Sequence, residues 1–483
     1  MISLHSLLLL FILSFTLGDS QKPKILMYMT SFGYSHFNFD CGIAKWLKED
    51  GYEVHALVPV FPYLPNMTCD AIKATYYFNV PTNVGKAVFG KMKYGVANMV
   101  TNGIKSVIAE LSYLGCEILF NDKELMKTIK NQNFSIGFAE YMDGCLSIYF
   151  SKIGAKSLIN LNPTALQYPV YRNLGLFLSP ASVPSVDESF SSGDTMNYWQ
   201  RTWNIYVTFY EEFFYKPMFE NVMVHFIAKF FPNQNLSPMD FRKNISLVVT
   251  NTNLFLDFAK PSNPKIIHVG GEFVNEPKKL QKTIEEIYSI STDGVVLISF
   301  GTLVDTDKAT QIFKDSVKAV VKAYPNLQFI WKTNGQKKTT EFEELKNLHL
   351  VTWIDQQSIL ANPKTKLFFT HCGLNSLNEA AVFGVPMIAM PIFGDQHYNS
   401  ALINKREIGI AISYLTVTPK ELFSVFDEIL KNPKYSQNSK LLSQKIKNNP
   451  LKGKDTFLKW IEFAAKYGNS YELDLGSAGM PRF

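Results

Sequence analysis

The fold of this chain is decided by residues 368–381, which read FFTHCGLNSLNEAA. The apolar run that ends at Thr370 predicts a buried strand, a turn of small residues follows, and the stretch from about Leu374 to Phe383 predicts a helix. The first N–H groups of a helix have no partner inside the helix, and the helix dipole adds partial positive charge there. This order of elements therefore predicts an anion site suited to a phosphate group.

The same alternation of strand, turn and helix recurs on both sides of this stretch. Near the start, a buried strand at 24–29 precedes a loop at 30–35, a helix, and a second strand at 54–58. In the second half, strands are predicted at 294–300, 328–331, 366–370 and 385–390. Such βαβ units pack as parallel sheets, so the sequence predicts an α/β fold with two doubly wound halves.

Composition excludes several classes of protein. The chain has 483 residues, of which 46% are hydrophobic and 19% charged, and a formal net charge of +6. This length suggests two or three domains, and this apolar content excludes wholesale disorder. Lys and Arg form no dense cluster, so no nucleic acid is expected as a partner. The sequence also lacks the G-x-S-x-G elbow of a sheet-based hydrolase.

The N-terminus is typical of an export signal. Residues 7–13 form an apolar run too short for a membrane span, and Thr16 and Gly18 suit cleavage after Gly18. We expect a signal peptide at 1–18, with a buried N-terminal strand as the alternative. The mature protein would then lie in the lumen of the endoplasmic reticulum or be secreted. One or two of four sequons are expected to be used, namely those at Asn66, Asn133, Asn235 and Asn244.

The five cysteines leave two alternatives open. Cys41, Cys69, Cys116, Cys145 and Cys372 show no CxxC spacing, so no zinc site is indicated. In an oxidising lumen they can form at most two disulfides, or all five can be buried thiols.

A further motif follows the anion site and makes the pattern specific. The pair Asp395 and Gln396 comes after a buried strand, where an open α/β sheet binds ligands, and both side chains suit a sugar. Together, Trp353 to Asn399 resemble the signature of the UDP-glycosyltransferase family, of the UDP-glucuronosyltransferase type. The matching residues are Trp353, Gln356, Pro363, Thr370, His371, Cys372, Gly373, Asn375, Glu379, Gly384, Pro386, Pro391, Asp395 and Gln396.

The resemblance covers nearly the whole chain after the signal and implies a GT-B fold, in which two Rossmann-like domains face a central cleft. The acceptor-binding domain is expected at 19–274 and the UDP-sugar-binding domain at 286–440. We also expect a linker at 275–285, C-terminal helices at 441–470 that pack back on the N-terminal domain, and a flexible tail at 471–483.

The resemblance also implies roles for residues of the C-terminal half. Trp353 would stack on uracil, and Gln356 would lie beside the base and ribose. Glu379 would bind the ribose, and Asp395 with Gln396 would bind the sugar. The expected contacts around the diphosphate are Ser299, Thr302, His371, Gly373, Asn375 and Ser376. Family enzymes work without a bound metal, so no metal or other cofactor is expected.

The catalytic step needs a base that takes a proton from the acceptor, and His36 is the candidate. It opens the first helix, just after the first strand, and imidazole is suited to accepting a hydroxyl proton near neutral pH. In the family an Asp orients this ring. Glu140 stands at that position here, with Asp143 as a rival.

The expected donor sugar rests on one difference between this sequence and the family pattern. Glucuronate-using members carry an Arg that pairs with the sugar carboxylate, at a position where this chain has Asn251. The difference favours UDP-glucose over UDP-glucuronate, unless Lys260 or Lys265 supplies the charge.

The resulting hypothesis is an inverting transferase that moves a hexosyl group, glucose or glucuronic acid, from a UDP-sugar to a small lipophilic acceptor. The aromatic region from Tyr198 to Phe231 is interpreted as helices that line an apolar pocket or lie on a membrane surface, with ordinary core as the alternative. The second hypothesis is a non-catalytic relative that binds UDP-sugar or a lipophile and modulates active members. Homo- or hetero-oligomers are left open. Family members usually carry a membrane span after the C-terminal helices. Its absence before Phe483 indicates a lumenal or secreted form or a truncated sequence.

Overall fold

The structure is a computed structural model that describes residues 22–479, except residues 32, 63, 65, 84–100, 142, 187–188, 275, 334 and 336–339. The expected signal peptide and the last residues of the expected tail therefore lie outside the described residues. Two parallel sheets, one in each half of the chain, confirm the predicted α/β fold.

The N-terminal half is built on a sheet of seven parallel strands. Their bounds are β1 Ile25–Tyr28, β2 Val54–Val60, β3 Ala74–Asn79, β4 Ile136–Glu140, β5 Ser157–Asn162, β6 Ile245–Thr250 and β7 Ile266–His268. The order across the sheet is β3-β2-β1-β4-β5-β6-β7. Ile25 of β1 lies opposite Val54 on one side and Ile136 on the other, so the direction of winding reverses between β1 and β4.

Helices surround this sheet, and the first of them illustrates why they form. Ile43, Trp46 and Leu47 recur at spacings of three and four residues on one face and are buried against the strands. The helices of this half are α1 Tyr34–Glu49, α2 Thr101–Asn121, α3 Lys123–Lys130, α4 Leu146–Ile153, α5 Tyr168–Asn173, α6 Tyr198–Tyr210, α7 Lys216–Phe230 and α8 Pro238–Arg242. A π-helical turn, Glu211–Tyr215, joins α6 to α7.

The C-terminal half repeats the architecture with six parallel strands. These are β8 Gly294–Ser299, β9 Leu327–Lys332, β10 Leu348–Val351, β11 Thr365–Thr370, β12 Met387–Ala389 and β13 Gly409–Ala411, in the order β10-β9-β8-β11-β12-β13. The helices are α9 Lys282–Ile290, α10 Gln311–Ala323, α11 Gln356–Ala361, α12 Leu374–Phe383, α13 Gln396–Arg406, α14 Pro419–Lys431, α15 Pro433–Lys447 and α16 Gly453–Tyr467. The predicted helix 374–383 is confirmed with both of its bounds.

Two expected domain bounds differ from the structure. Helix α9 begins at Lys282, so the last residues of the expected linker 275–285 are part of this helix. Helix α15 packs on α12 of the C-terminal domain, where Ser443 Oγ donates to the carbonyl of Val382 at 2.5 Å. Only α16 crosses back, and there Ser157 Oγ donates to the carbonyl of Ala464 at 2.9 Å. The chain therefore returns to the N-terminal domain between Lys447 and Gly453, whereas the expected end of the C-terminal domain was residue 440.

The described part of the expected flexible tail is packed on the N-terminal domain. Asp474 forms an ion pair with the buried Lys265, and Asn263 Nδ2 donates to the carbonyl of Leu473 at 3.0 Å. Ser477 Oγ donates to the carbonyl of Gly175 at 2.6 Å. The structure thus gives residues 473, 474 and 477 specific partners, while the flexibility of the tail stays a prediction.

Two disulfides and one buried thiol account for the five cysteines. Cys41 is bonded to Cys69 and Cys116 to Cys145, while Cys372 is free and buried. Across the described ranges, no helix combines the length and the apolar character that a membrane crossing requires.

Candidate active site

A cleft of about 340 Å³ lies between the two domains, and loops that follow the carboxyl ends of strands line it from both sides. In each sheet, the neighbouring strands where the winding reverses contribute most directly. His36 and Glu140 follow or end β1 and β4, while Ser299 and His371 end or follow β8 and β11. Open α/β sheets bind ligands at these reversal points, so the cleft is the candidate active site.

His36 and Glu140 form a hydrogen-bonded pair at the edge of this cleft. His36 Nδ1 lies 2.8 Å from Glu140 Oε2 and 3.1 Å from Oε1. The histidine side chain is 23% exposed, whereas that of Glu140 is 3% exposed. Burial would lower the pKa of His36, but the charge and hydrogen bond of Glu140 outweigh burial and raise it. Of the two acids weighed from the sequence, it is Glu140 that contacts the ring.

Two further carboxyl groups lie near this pair, and one was missed from the sequence. Burial, and next the charge of Glu140, raises the pKa of Asp143 well above its usual range, and the pKa of Asp40 likewise. Asp40 is fully buried, and a hydrogen bond from the backbone of Thr30 only partly offsets the effect of burial on its pKa. Since burial of a carboxylate is costly, this environment favours the protonated form of Asp40. Its i+4 spacing from His36 on α1 was the available signal.

On the opposite wall, α12 begins with backbone groups directed at the cleft. Gly373 is its N-cap residue and makes no side-chain capping bond, which leaves the first N–H groups available for a ligand. The ring of His371 fills the space beside it. A Cβ on Gly301 or Gly373 would lie 2.8 or 2.7 Å from that ring, so both positions need glycine. Burial, with the charge of Lys332, lowers the pKa of His371 to about 4, so the ring is neutral at neutral pH.

Next to this helix end lie two predicted polar residues and one that was missed. Ser299 Oγ is buried and has no hydrogen-bond partner, so its hydroxyl is available to donate to a ligand oxygen. Thr302 lines the same part of the cleft. Lys332, at the end of β9, donates from Nζ to the carbonyl of Gly301 at 2.5 Å and supplies a positive charge. Sequence reasoning missed it, although a lysine that ends a buried strand was a readable signal.

A polar group that could bind a ribose lies further along the same wall. Gln356 Nε2 donates to Glu379 Oε2 at 2.6 Å and to Ser376 Oγ at 3.1 Å. Trp353 is 58% exposed and presents its ring to the cleft, where the ring of Tyr34 meets it edge-on with centroids 6.5 Å apart. An exposed indole beside polar side chains is a platform on which a flat base can stack.

The two residues expected at the sugar differ in their surroundings. Asp395 lies close enough to His36 to contribute to raising the pKa of that ring, and it accepts from Asn399 Nδ2 at 3.0 Å. Gln396 is buried, and its Oε1 accepts from the backbone N–H of Ile392 at 2.8 Å and of Phe393 at 3.2 Å. Its carbonyl oxygen therefore shapes the loop before α13, and only its amide nitrogen remains for a ligand.

The domains touch directly beside the cleft. Asn375 Nδ2 donates to the carbonyl of Ser35 at 3.4 Å, and Asn251 Nδ2 donates to Asn375 Oδ1 at 2.6 Å. Asn251 is thus buried in a contact between domains and is not among the residues that line the cleft.

The two lysines considered as substitutes for an arginine are engaged elsewhere. Lys260 pairs with Asp257 at 3.1 Å, and Lys265 pairs with Asp474. Neither lines the cleft, so the structure gives no support to the alternative that one of them supplies the charge of the arginine.

The described residues of the aromatic region around α6, from 198 to 231, do not line the cleft. Some are core, such as Phe226, whereas Trp199, Trp203 and Tyr206 are about half to three-quarters exposed. The described apolar groups in the cleft come from other elements and are Tyr34, Ile108, Leu303, Trp353, Ile354, Leu374 and Phe393.

Comparisons with known proteins agree with this geometry. Residues 68–470 match the family described as UDP-glucoronosyl and UDP-glucosyl transferase. The chain is similar to UDP-glucuronosyltransferase 3A1 of Bos taurus, with 27% identity over 94% of this chain and 86% of that one. A solved glycosyltransferase of kitacinnamycin superposes with a TM-score of 0.63 at 14% identity, covering 92% of this chain and 99% of the other. The Phytolacca americana enzyme UGT2, solved with UDP-2-fluoro-glucose and pterostilbene, gives 0.59 at 15% identity, with coverage of 91% and 99%. The predicted GT-B arrangement is thereby confirmed.

Proposed function

Since the chain belongs to the UDP-glucoronosyl and UDP-glucosyl transferase family, whose members transfer sugar from a UDP-sugar, we propose that it is an inverting hexosyltransferase. The acceptor is the hydroxyl of a small lipophilic molecule, and His36 is the general base. One observation carries the proposal. The imidazole of His36, held by a buried carboxylate, shares one cleft with the open N-terminus of α12.

The chemistry follows from the hydrogen bonds of the two walls. With Nδ1–H donated to Glu140, the other ring nitrogen of His36 is free to take the acceptor proton. The acceptor oxygen then bonds to the anomeric carbon while the bond from that carbon to the phosphate oxygen breaks. Since attack comes from the face opposite the leaving group, the configuration inverts. The charge that develops on UDP meets Lys332, Ser299 and the helix end.

The donor is proposed to be UDP-glucose in preference to UDP-glucuronate. Among the described residues that line the cleft, Lys332 is the one lysine or arginine, and it lies beside Gly301 with the diphosphate contacts. Asn251 is buried in the contact with Asn375, so no cation at that position meets a sugar carboxylate. We propose further that transfer needs no metal. Activity that disappears in EDTA and returns with a divalent cation would contradict this.

The acceptor is proposed to be lipophilic because apolar side chains form the rest of the cleft. Ile108 and Tyr34 on the N-terminal side face Leu303 and Phe393 on the other. A site of this kind binds by apolar contact and leaves a few polar groups to orient the reacting hydroxyl.

We place the protein in an oxidising compartment, the endoplasmic reticulum lumen or the exterior. Its two disulfides support this, because such bonds persist mainly in oxidising environments. The asparagines of all four sequons are exposed.

We also propose that α6 lies on a membrane surface. Its polarity is inverted, because the polar Asn204, Thr208 and Glu211 face inward. Asn204, for example, donates to the carbonyl of Val183 at 2.8 Å. The outward stripe at helical spacing, Trp199, Trp203, Tyr206 and Tyr210, consists of the aromatic residues that favour the interface between lipid and water.

The test is UDP release from UDP-glucose and UDP-glucuronate with a panel of phenols, with His36→Ala alongside. We expect turnover of UDP-glucose by the wild type and a loss of about two orders of magnitude or more in the variant. Equal UDP release by both proteins would disprove the role of His36. If neither donor is turned over while UDP still binds in calorimetry, the alternative of a non-catalytic relative is supported.

A further inference from the structure

Each member of the His36–Glu140 pair is followed, five residues later in the chain, by a half-cystine. Cys41 follows His36 on α1 and is bonded to Cys69, in the loop between β2 and β3. Cys145 follows Glu140 and is bonded to Cys116 on α2. Both disulfides of the described chain are thus attached to the two segments that carry the catalytic pair.

The helix that carries His36 begins without a side-chain cap. Its N-cap residue is Gly33, which makes no side-chain capping bond, and no acidic residue stands in the first turn. The carbonyl of Gly33 accepts from the N–H groups of His36 and Phe37 at 3.1 Å, and no side chain caps the N–H groups of this turn. An uncapped first turn frays more readily than a capped one. By contrast, α6 begins with a full capping box at Asn197.

The segment that carries Glu140 shows the same weakness. Glu140 ends β4, and the N–H of Asp143 donates back to its carbonyl at 3.1 Å, forming a short turn. Helix α4 then begins at Leu146 with Cys145 itself as the N-cap residue, again without a side-chain capping bond. The disulfide is therefore the side-chain attachment at the start of this helix.

Both bonds anchor these segments to neighbouring elements. Near Cys69, the carbonyl of Asp70 accepts from Lys48 Nζ at 2.8 Å, so the loop lies along α1. Cys116 belongs to α2, whose residue Ile108 lines the cleft. Each bond thus joins a catalytic segment to a separate part of the fold.

We propose that the four half-cystines are positioning residues. The two disulfides replace the missing caps, hold His36 and Glu140 at hydrogen-bond distance, and thereby couple sugar transfer to an oxidising environment. This inference rests on the proposed role of His36 as the general base. Under reducing conditions, a dithiol reductant gives two electrons and two protons to one disulfide. The S–S bond breaks, two thiols form, and the reductant closes to a cyclic disulfide.

The two bonds differ in how easily a reductant reaches them. Cys41 and Cys69 are half-buried, whereas Cys116 is 5% exposed and Cys145 is fully buried. Mild reduction should therefore open the bond beside His36 first, and the bond beside Glu140 only under stronger conditions.

The first experiment compares two double variants, Cys41→Ala with Cys69→Ala and Cys116→Ala with Cys145→Ala. We expect kcat to fall about tenfold or more, with the KM for UDP-sugar unchanged because its proposed contacts lie in the other domain. The acid limb of the pH profile of kcat/KM should move to lower pH, because a looser contact with Glu140 no longer raises the pKa of His36. Unchanged kcat and an unchanged acid limb in both double variants would overturn the inference.

A matched control separates positioning from general loosening. Asp474→Asn removes the ion pair with Lys265, which ties the C-terminal segment to the same domain away from the cleft. We expect a lower melting temperature with kcat and the pH profile unchanged. If this variant shifts the profile as the disulfide variants do, the effect is general and the inference is wrong.

The second experiment uses the folded wild type and avoids variants that fail to fold. Dithiothreitol is titrated while thiols are mapped by alkylation and mass spectrometry, and UDP release is measured on the same samples. We expect activity to fall as the bond between Cys41 and Cys69 opens and to return on reoxidation. Full activity with that bond open would overturn the inference. This outcome differs from failure of the proposed function, in which His36→Ala would retain activity.

Discussion

Replacing Glu140 by glutamine removes the negative charge beside His36 and keeps an oxygen that can accept the Nδ1 hydrogen. The carboxylate lies 2.8 Å from the ring nitrogen and is almost fully buried. At an effective dielectric constant of about 20, two charges about 4 Å apart attract each other by about 4 kcal/mol. This attraction arises when the ring becomes an imidazolium, so it lowers the barrier more than it stabilises the resting enzyme.

Two effects reduce that figure. The ring of His36 is 23% exposed, so solvent screens part of the attraction. Loss of the Glu140 charge also removes one of the causes that raise the pKa of Asp143, and any charge that Asp143 gains offsets part of the loss. At about 1.4 kcal/mol per factor of ten, we expect Glu140→Gln to reduce kcat by about two orders of magnitude, with the KM for UDP-sugar unchanged.

The assay is UDP release at saturating UDP-sugar across the neutral pH range. His36 must be neutral to act as a base, and Glu140 raises its pKa, so the acid limb of kcat/KM should lie above the ordinary value for histidine. In Glu140→Gln the effect of burial on His36 is no longer outweighed, so the pKa of His36 falls. The acid limb of the kcat/KM profile therefore moves to lower pH. A variant with wild-type kcat and an unmoved limb would refute the reasoning. A larger loss in Asp143→Asn than in Glu140→Gln would show that Asp143 is the partner.

Three further changes test the other contacts of the site. Trp353→Ala should raise the KM for UDP-sugar about tenfold with little change in kcat, because stacking on a base contributes about 1–3 kcal/mol; an unchanged KM would exclude the indole as the base platform. Lys332→Met should lower kcat/KM about tenfold to a hundredfold through loss of a charge-assisted hydrogen bond to phosphate, and an equal loss in Lys332→Arg would argue against a charge role. The double variant Trp199→Ser with Trp203→Ser should weaken cosedimentation with phosphatidylcholine vesicles about tenfold at unchanged activity, and binding equal to the wild type would place α6 off the membrane.

Much of the fold was predictable because buried parallel strands read as continuous apolar runs. Strand β11 and helix α12 follow the sequence pattern residue by residue, and the winding reversal beside them places His371 in the cleft. The end of the C-terminal domain was not predictable in this way. Helical spacing continues through α15 and α16, and the sequence does not say which helix packs on which domain.

The sequence also could not predict which segments are held in place by a few polar contacts to distant parts of the chain. The segment 471–479 has the composition of a flexible tail, and its contacts to Lys265 and Asn263 depend on side chains about two hundred residues away in the chain. The inverted polarity of α6 has the same cause, because Asn204 is buried by partners in a preceding loop. Spacing predicted the helix and could not predict which face turns inward.

The charges of the two walls match the two changes that occur during transfer. On the N-terminal side, the proton that His36 is proposed to take would create a positive ring beside the carboxylate of Glu140, and this wall favours that charge. On the C-terminal side, the departing diphosphate would gain negative charge beside Lys332 and the start of α12, while His371 stays neutral because its pKa is about 4. Both charges form in the same step, so each wall is complementary to the transition state more than to the bound substrates. The proposed roles of the two domains therefore differ: we assign proton removal to the first and stabilisation of the leaving group to the second.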